Sequence, residues 1–529
     1  MLRALARAAG RTPSHWPALA AAALWLTLPL LASSSLMVIQ RMATLSGTFV
    51  LIGLLAYLYF RGQLVQGRRG LAGMTFSVAA GTLLAALCKE NGALLPMLVL
   101  VAEATILARP AAVDTASWWR WCVVVLVLPS AAILSFLLFQ LPYDTATVLE
   151  RDYTGLERLM TEARVLWLYL GNALVGQPGS LGPFHDDLGV SRSLFEPTTF
   201  LAVVASIAAI SAAIVYRRRY SLVAFATLWF VAAHLLESTT VPLYLYFEHR
   251  NYIPLLGPAF AVSIAVFSVT GRYRNPARAL LCLVIAINAA LLFASTSMWG
   301  MPRVATAAWY EASPASAAAA GHYAQQQMAH EGLGAGVETL RAFVARHPEH
   351  AYLRLAEVTA LCRLVPDHDQ RATIDELEQL LPGIKFTKGL GPMLDELLGA
   401  ASALNCVGVD TLAIRRLLAA ALRNPRFAIN AGYMSYHHQL TAKLAFGAGD
   451  FDAAVQELEK AKEFVDHDDL NLMLVSTLAT QGRTDEARAV LARARESRSM
   501  DPRKRFASTL KLDDLERYID AVESNRRPE

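Results

Sequence analysis

Apolar residues in this chain are concentrated before about residue 300, where residues 49–60, 82–87 and 123–139 carry no charge at all. Windows of about 18 to 23 apolar residues suit a helix that crosses a bilayer. Nine such windows occur, at about 17–39, 43–60, 71–88, 91–108, 119–140, 198–216, 221–238, 251–269 and 278–297. Between the fifth and sixth lies a polar loop of about 141–197, in which Leu156, Leu159, Met160, Ala163, Leu166, Trp167 and Leu170 recur at helical spacing opposite Glu157, Arg158, Glu162 and Arg164. That periodicity predicts an amphipathic helix lying in the membrane interface.

After about residue 320 the pattern changes to helical hairpins. Gly449-Asp450-Phe451-Asp452-Ala453-Ala454 is echoed by Gly482-Arg483-Thr484-Asp485-Glu486-Ala487, and Leu458 and Ala461 are matched by Leu491 and Ala494. The offset is close to the ~34 residues of a tetratricopeptide (TPR) repeat. Residues 337–347 and 374–381 read as degenerate copies. Since stacked units are needed to bury a continuous core, 320–520 is expected to form one solenoid. The predicted fold is all-α: a polytopic transmembrane bundle of about nine spans over 1–300, then a TPR-like α-solenoid over 301–529.

Charge gives this arrangement a direction. Arg61, Arg68 and Arg69, then Arg109 and Arg120, then Arg217 to Arg219, then Arg272, Arg274 and Arg278 fall in alternate connections, together with Arg3, Arg7 and Arg11 at the start. By the positive-inside rule these face the cytoplasm, and Trp118, Trp119 and Trp121 suit an aromatic belt beside Arg120. The apolar tract after the first arginines could imitate a secretory signal, but it runs on through Val38 with no clear cleavage site and is read as an uncleaved span. Nine spans that start inside end outside, so the loop at 141–197 and everything after about residue 298 are expected in the periplasm of a bacterial inner-membrane protein. Glu103 is the one deep charge, too little for a transporter.

The chain has 529 residues, 55% of them hydrophobic. Of its 48 Lys+Arg, 21 precede residue 301, against 13 of its 44 Asp+Glu. The membrane half is thus basic and the remainder mildly acidic, a balance that suggests no nucleic-acid partner. Of five cysteines, only Cys362 and Cys406 fall outside on this topology, where disulfides persist. Pairing and a buried free thiol both remain open from sequence.

Three polar clusters collect on the expected periplasmic face: Gln40-Arg41-Met42 with Lys89-Glu90-Asn91; Thr161-Glu162-Ala163-Arg164 with Phe184-His185-Asp186-Asp187; and Glu248-His249-Arg250-Asn251-Tyr252. Charges at a membrane interface are costly when desolvated and often functional. Snorkelling and local ion pairing are the plainer account, above all for Glu162 with Arg164.

In these strings and their order, the chain resembles a family of bacterial TPR-containing membrane proteins related to GT-C glycosyltransferases, the class of protein O-mannosyltransferases and pilin glycosyltransferases. The resemblance covers about 17–300, and the TPR tail is a further shared feature. It implies transfer of a sugar from a polyprenyl-linked donor to a periplasmic acceptor, with membrane lipid, lipid-linked sugar and a protein acceptor or partner of the TPR domain as its associates. On that reading Arg41, Lys89 and Arg250 are candidates to hold the lipid phosphate, with Glu90, His249 and Asn251 as further substrate-binding residues. Asp186, Asp187, His185 or Glu248 would serve as general base. A divalent metal on His185, Asp186 and Asp187 is an alternative, although adjacent carboxylates with one His are a weak ligand set, and no residue is assigned as a metal ligand.

One departure stands out: the first outer loop, about 33–42, has no Asp or Glu where such enzymes carry a catalytic acid. The chain is then a truncated or split product, or a relative that no longer catalyses. The alternative function is a non-catalytic scaffold whose TPR domain binds envelope or pilus-assembly proteins.

Overall fold

A computed structural model describes residues 1–10, 14–111, 113–174, 176, 182–496 and 502–524. Arg11 lies outside the described residues. Among those described, every regular element is a helix. The chain divides into two compact units. The first comprises Met1–Asp144 and Tyr153–Gln326, and the second Thr145–Asp152 and Gln327–Glu529.

Among the described residues of the first unit five helices are long and apolar enough to cross a membrane: Val38–Val65, Leu71–Cys88, Thr115–Phe139, Pro197–Val215 and Gly271–Trp299. Trp16–Leu26 and Pro29–Leu36 meet at a 62° bend and make a sixth span if read together. The other expected spans are shorter. Residues 91–108 fold as a 3-10 turn, Glu90–Leu94, and the helix Leu95–Thr105, which carries Pro96 in its first turn. Ser221–His234 ends ahead of the polar run Glu237 to Thr240, and Leu256–Ser268 begins only after Pro254. Hydropathy windows run through such breaks because they count side chains, whereas the helix stops where proline or a polar turn interrupts its hydrogen bonding. Phe76, Leu87 and Phe293 are 71%, 75% and 74% exposed, as lipid-facing side chains would be.

Helices Arg41–Val65 and Leu71–Cys88 pack as an antiparallel pair around glycine. A Cβ on Gly81 would lie 2.9 Å from Gly53 Cα, so neither residue can carry a side chain without separating the backbones. Glu103 is buried but not alone. Arg61 Nε and Nη2 reach its two oxygens at 2.5 and 3.0 Å, the Tyr57 hydroxyl donates to it at 2.6 Å, and Arg61 also donates to the Ala108 carbonyl at 2.6 Å. The aromatic belt is only partly outward: Trp119 is exposed, while Trp118 is buried and Trp121 donates to Thr75 Oγ1 at 2.8 Å and stacks on Trp118.

In the second unit the repeat has the predicted register. Gly449 and Gly482 both adopt positive φ, 79° and 80°, where an L side chain is strained. Ala454, Leu458 and Ala461 are buried, and so are their counterparts Ala487, Leu491 and Ala494. The Asp450 carboxylate accepts from the Ala453 N–H at 3.0 Å and caps the helix Phe451–Phe464. Helices Leu333–Arg346 and Arg371–Leu380 occupy the degenerate copies, burying Val337, Leu340 and Phe343 and then Ile374 and Leu377. Among the described residues the buried side chains form two main clusters, one over Ala351 to Leu444 and one over Ala442 to Ile519. They meet on the helix Ala431–Gly447. Cys362 and Cys406 form a disulfide with Cα atoms 5.5 Å apart, which decides the question that spacing left open.

Candidate functional site

The helix Leu71–Cys88 stops because Lys89 is extended, with φ −159° and ψ 144°. This turns the Lys89 side chain inward, where its ammonium lies 2.5 Å from Glu237 Oε1. Asn91 Nδ2 donates to the other Glu237 oxygen at 2.5 Å. The 3-10 turn Glu248–Asn251 buries all four of its side chains. Arg250 donates to the Leu245 and Tyr244 carbonyls at 3.1 and 2.5 Å, and its Nη1 lies 3.7 Å from Glu162.

The amphipathic helix forms as Gly155–Leu174, but its buried face is mixed. Arg158, Thr161 and Glu162 are 0%, 0% and 1% exposed and are buried together with Met160, Val165 and Tyr169, while Leu156, Trp167 and Leu168 are exposed and Glu157 and Arg164 are half-buried. Arg158 donates to the carbonyls of Thr239, Leu243 and Glu237 at 2.8, 2.6 and 2.8 Å and so fixes the chain that carries Glu237. It also lies 2.8 Å from Glu162. The expected pair of Glu162 with Arg164 does not form: Arg164 turns to the Gly189 carbonyl and Ser191 Oγ at 3.2 and 3.1 Å. A four-residue spacing exists between Arg158 and Glu162, and that was the overlooked signal.

Lys89, His249 and Arg250 line one cleft with Asn91, Ser46 and Tyr252. It encloses about 420 Å³ including its open mouth, but only about 30 Å³ of this is wide enough for water, room for one or two molecules. Around it the cations Lys89, Arg158 and Arg250 stand with the buried carboxyl groups of Glu162, Glu237 and Glu248. Burial pushes Glu162 up to about 7 against the pull of Arg158 and Arg250. His249 is lowered to about 3 by burial and then by Lys89, so it is neutral. Its Nδ1 is buried with no hydrogen-bond partner among the described residues.

Beside this cleft, Glu248 accepts from the Gly182 N–H at 2.8 Å, and His185 Nε2 lies 3.5 Å from it. Burial raises the Glu248 carboxyl above its usual range, with His185 opposing. Asn251 is fully buried and donates to the Glu248 carbonyl at 3.1 Å.

Other predicted residues lie elsewhere. Asp186 is a helix cap: it accepts from the Ser316 hydroxyl and from the Ala318 N–H at 3.1 Å, at the start of the helix Ala317–His330. Asp187 is exposed, its carboxyl raised by partial desolvation and by Asp186. Arg41 and Glu90 are exposed and do not line the cleft. Among the described residues no three His, Cys, Asp or Glu converge to hold a metal.

Residues 445–503 match the tetratricopeptide repeat family. The match begins just before the left-handed Gly449 and takes in both copies of the repeat. No curated protein and no solved structure matches the chain. The TPR unit suggests protein–protein interaction, and the apolar helices of the first unit are compatible with a multi-pass membrane protein.

Proposed function

We propose that this chain is an integral membrane glycosyltransferase-like protein that takes a sugar from a polyprenyl-linked donor and passes it to a periplasmic acceptor bound through the TPR unit. The observation that carries the reading is convergence: Lys89 lies about 160 residues before His249 and Arg250 in sequence yet lines one cleft with them. An ammonium and a guanidinium are the groups that hold a lipid phosphate. In the transfer, the bond from the anomeric carbon to the phosphate oxygen breaks and a bond to the acceptor oxygen forms. The acceptor's proton passes to a base, and the polyprenyl phosphate leaves.

Of the four candidate bases, His185 has the supporting arrangement. Its side chain is 17% exposed and therefore reachable, and the 2%-exposed Glu248 side chain is placed to orient it. A periplasmic position is supported by the Cys362–Cys406 disulfide, which persists in an oxidising compartment. It is also supported by Thr145–Asp152, which follows the helix Thr115–Phe139 in sequence and belongs to the TPR unit.

The test is glycosylation of a periplasmic or pilin-like acceptor in a deletion strain without a paralogue, complemented with this chain and its variants. His185→Ala is expected to lower transfer by a factor on the order of a hundred. Arg250→Ala should mainly weaken donor binding. Unchanged glycosylation in the deletion strain overturns the reading. The scaffold is the second reading, favoured by Glu237 already occupying Lys89 and by Asp186 serving as a helix cap.

A further inference from the structure

The cleft lined by Lys89, His249 and Arg250 encloses about 420 Å³, yet only about 30 Å³ of it is wide enough for water. Polar groups are shut in by this narrowness. Asn91 and His249 both line the cleft, and Asn91 Oδ1 and His249 Nδ1 are buried with no hydrogen-bond partner among the described residues. A polar atom buried without a partner is costly, so admitting water to these two offsets part of what opening the cleft would cost.

Tyr252 forms the wall that can move. Its ring lies against Gly47 of the helix Arg41–Val65, where a Cβ would come within 2.8 Å of the ring's Cε1. Only glycine leaves room for the ring in that place. On another side the ring meets Trp25, with centroids 4.8 Å apart and planes tilted by 51°. The backbone beneath it is pinned: Trp25 Nε1 donates to the Tyr252 carbonyl at 2.6 Å, and Trp229 Nε1 to the Ile253 carbonyl at 3.0 Å. The Tyr252 side chain is half-buried, and its hydroxyl makes no hydrogen bond among the described residues. A ring held by packing alone on a pinned backbone can change rotamer without breaking any hydrogen bond of the fold.

We propose that the Tyr252 side chain is a gate, which closes the cleft while it lies on Gly47 and admits a lipid-linked phosphate to Lys89 and Arg250 when it turns away. This rests on the reading of the cleft as the donor site, and it adds that the donor binds only after the ring has turned. A gate of this kind keeps water from the cations until the substrate arrives and then commits it.

The probe is N-ethylmaleimide, several times the size of a water molecule, applied in detergent micelles to the full chain carrying Ser46→Cys. Ser46 lines the cleft and is 3% exposed. Modification is followed by peptide mass spectrometry, which reads position 46 apart from the native Cys88, Cys122 and Cys282. Slow modification of position 46 is expected in this parent, and a rate about tenfold or more higher with Tyr252→Ala, and with Gly47→Ala, whose methyl group displaces the ring. Tyr252→Phe keeps the ring and should keep the parent rate. Cys122 is 3% exposed and should stay unmodified throughout, which separates gate opening from unfolding. Where Tyr252→Ala exposes Cys122, Gly47→Ala decides; exposure of Cys122 in both makes the ring part of the fold and overturns the proposal. A parent rate that is already fast, equal rates in the parent and both alanine variants, or a Tyr252→Phe rate matching Tyr252→Ala overturns it too. No sugar or lipid donor is present, so failure here leaves the transfer assay untouched. A working gate with unchanged glycosylation in the deletion strain overturns the donor reading and leaves the gate.

Discussion

Arg426 Nη2 donates to Asp152 Oδ1 at 3.0 Å across 274 residues of sequence, and Lys385 reaches the other oxygen of the same carboxylate at 3.1 Å. Asn430 Nδ2 donates to Glu150, two residues before Asp152, at 3.3 Å. These bonds draw the short helix Thr145–Arg151 out of the loop that follows the span Thr115–Phe139 and into the TPR unit. The Asp152 backbone sits at φ 60°, a conformation that a non-glycine residue holds only when its surroundings fix it.

Releasing that carboxylate should therefore free the segment. Asp152→Ala is expected to raise hydrogen exchange over 145–152 by about tenfold or more while leaving 451–496 protected. The swap Asp152→Arg with Arg426→Asp should recover part of the protection. Equal protection in wild type and Asp152→Ala shows that the bonds are not what holds the segment.

The proposed periplasmic side of the TPR unit gives a labelling prediction. Single cysteines placed after Val65, Arg218 and Asn275 should resist a membrane-impermeant maleimide in intact spheroplasts, and cysteines near Leu170 and Ala400 should react. Protection at Ala400 reverses the assignment of every polar group around the cleft.

Closing the 44-residue separation between Cys362 and Cys406 constrains the unfolded chain by about 4 kcal/mol. Cys362→Ala should lower the thermal transition of the TPR unit by several degrees. The wild-type chain should show a mobility shift on reduction that the variant lacks. A wild type in which both thiols alkylate without reductant contradicts the pairing.

Glu162 has a raised carboxyl pKa, about 7 against an ordinary 4.5, with burial as the largest cause and Arg158, Arg250 and Glu237 as its charged neighbours. Between these values the unfolded state releases a proton that the folded state keeps, so its contribution to stability falls as pH rises from about 4.5 to about 7. Glu162→Gln should remove that part of the slope. Melting temperatures from pH 4.5 to 7.5 in one detergent measure it, and parallel profiles for the two proteins dismiss the assignment.

Glu103 tests the membrane core. Glu103→Ala strands the Arg61 guanidinium in a buried setting, and breaking such a pair costs on the order of 3–5 kcal/mol. Folded yield should drop severely, whereas the pair Arg61→Met with Glu103→Leu should restore much of it. Equal yield in Glu103→Ala and wild type means that the pair contributes little.

Much of this was legible in the residues. The helical class, the long apolar spans and the TPR register at Gly449 and Gly482 follow from local patterns, because helix period, hydropathy and the glycine requirement at positive φ act within a few residues. What only the tertiary structure decided depends on which surroundings cover a given face. Arg158 and Glu162 were expected on a polar face opposite the apolar residues, but protein covers them together with Met160, while Leu156 and Trp167 of the apolar set are exposed. Periodicity fixes the two faces and not the solvent of each. In the same way Asp186 has the chemistry of a base, and a helix start 130 residues later takes both its oxygens. The pairing of Cys362 with Cys406 and of Asp152 with Arg426 arises from packing between distant segments, where separation along the chain carries no information about distance in space.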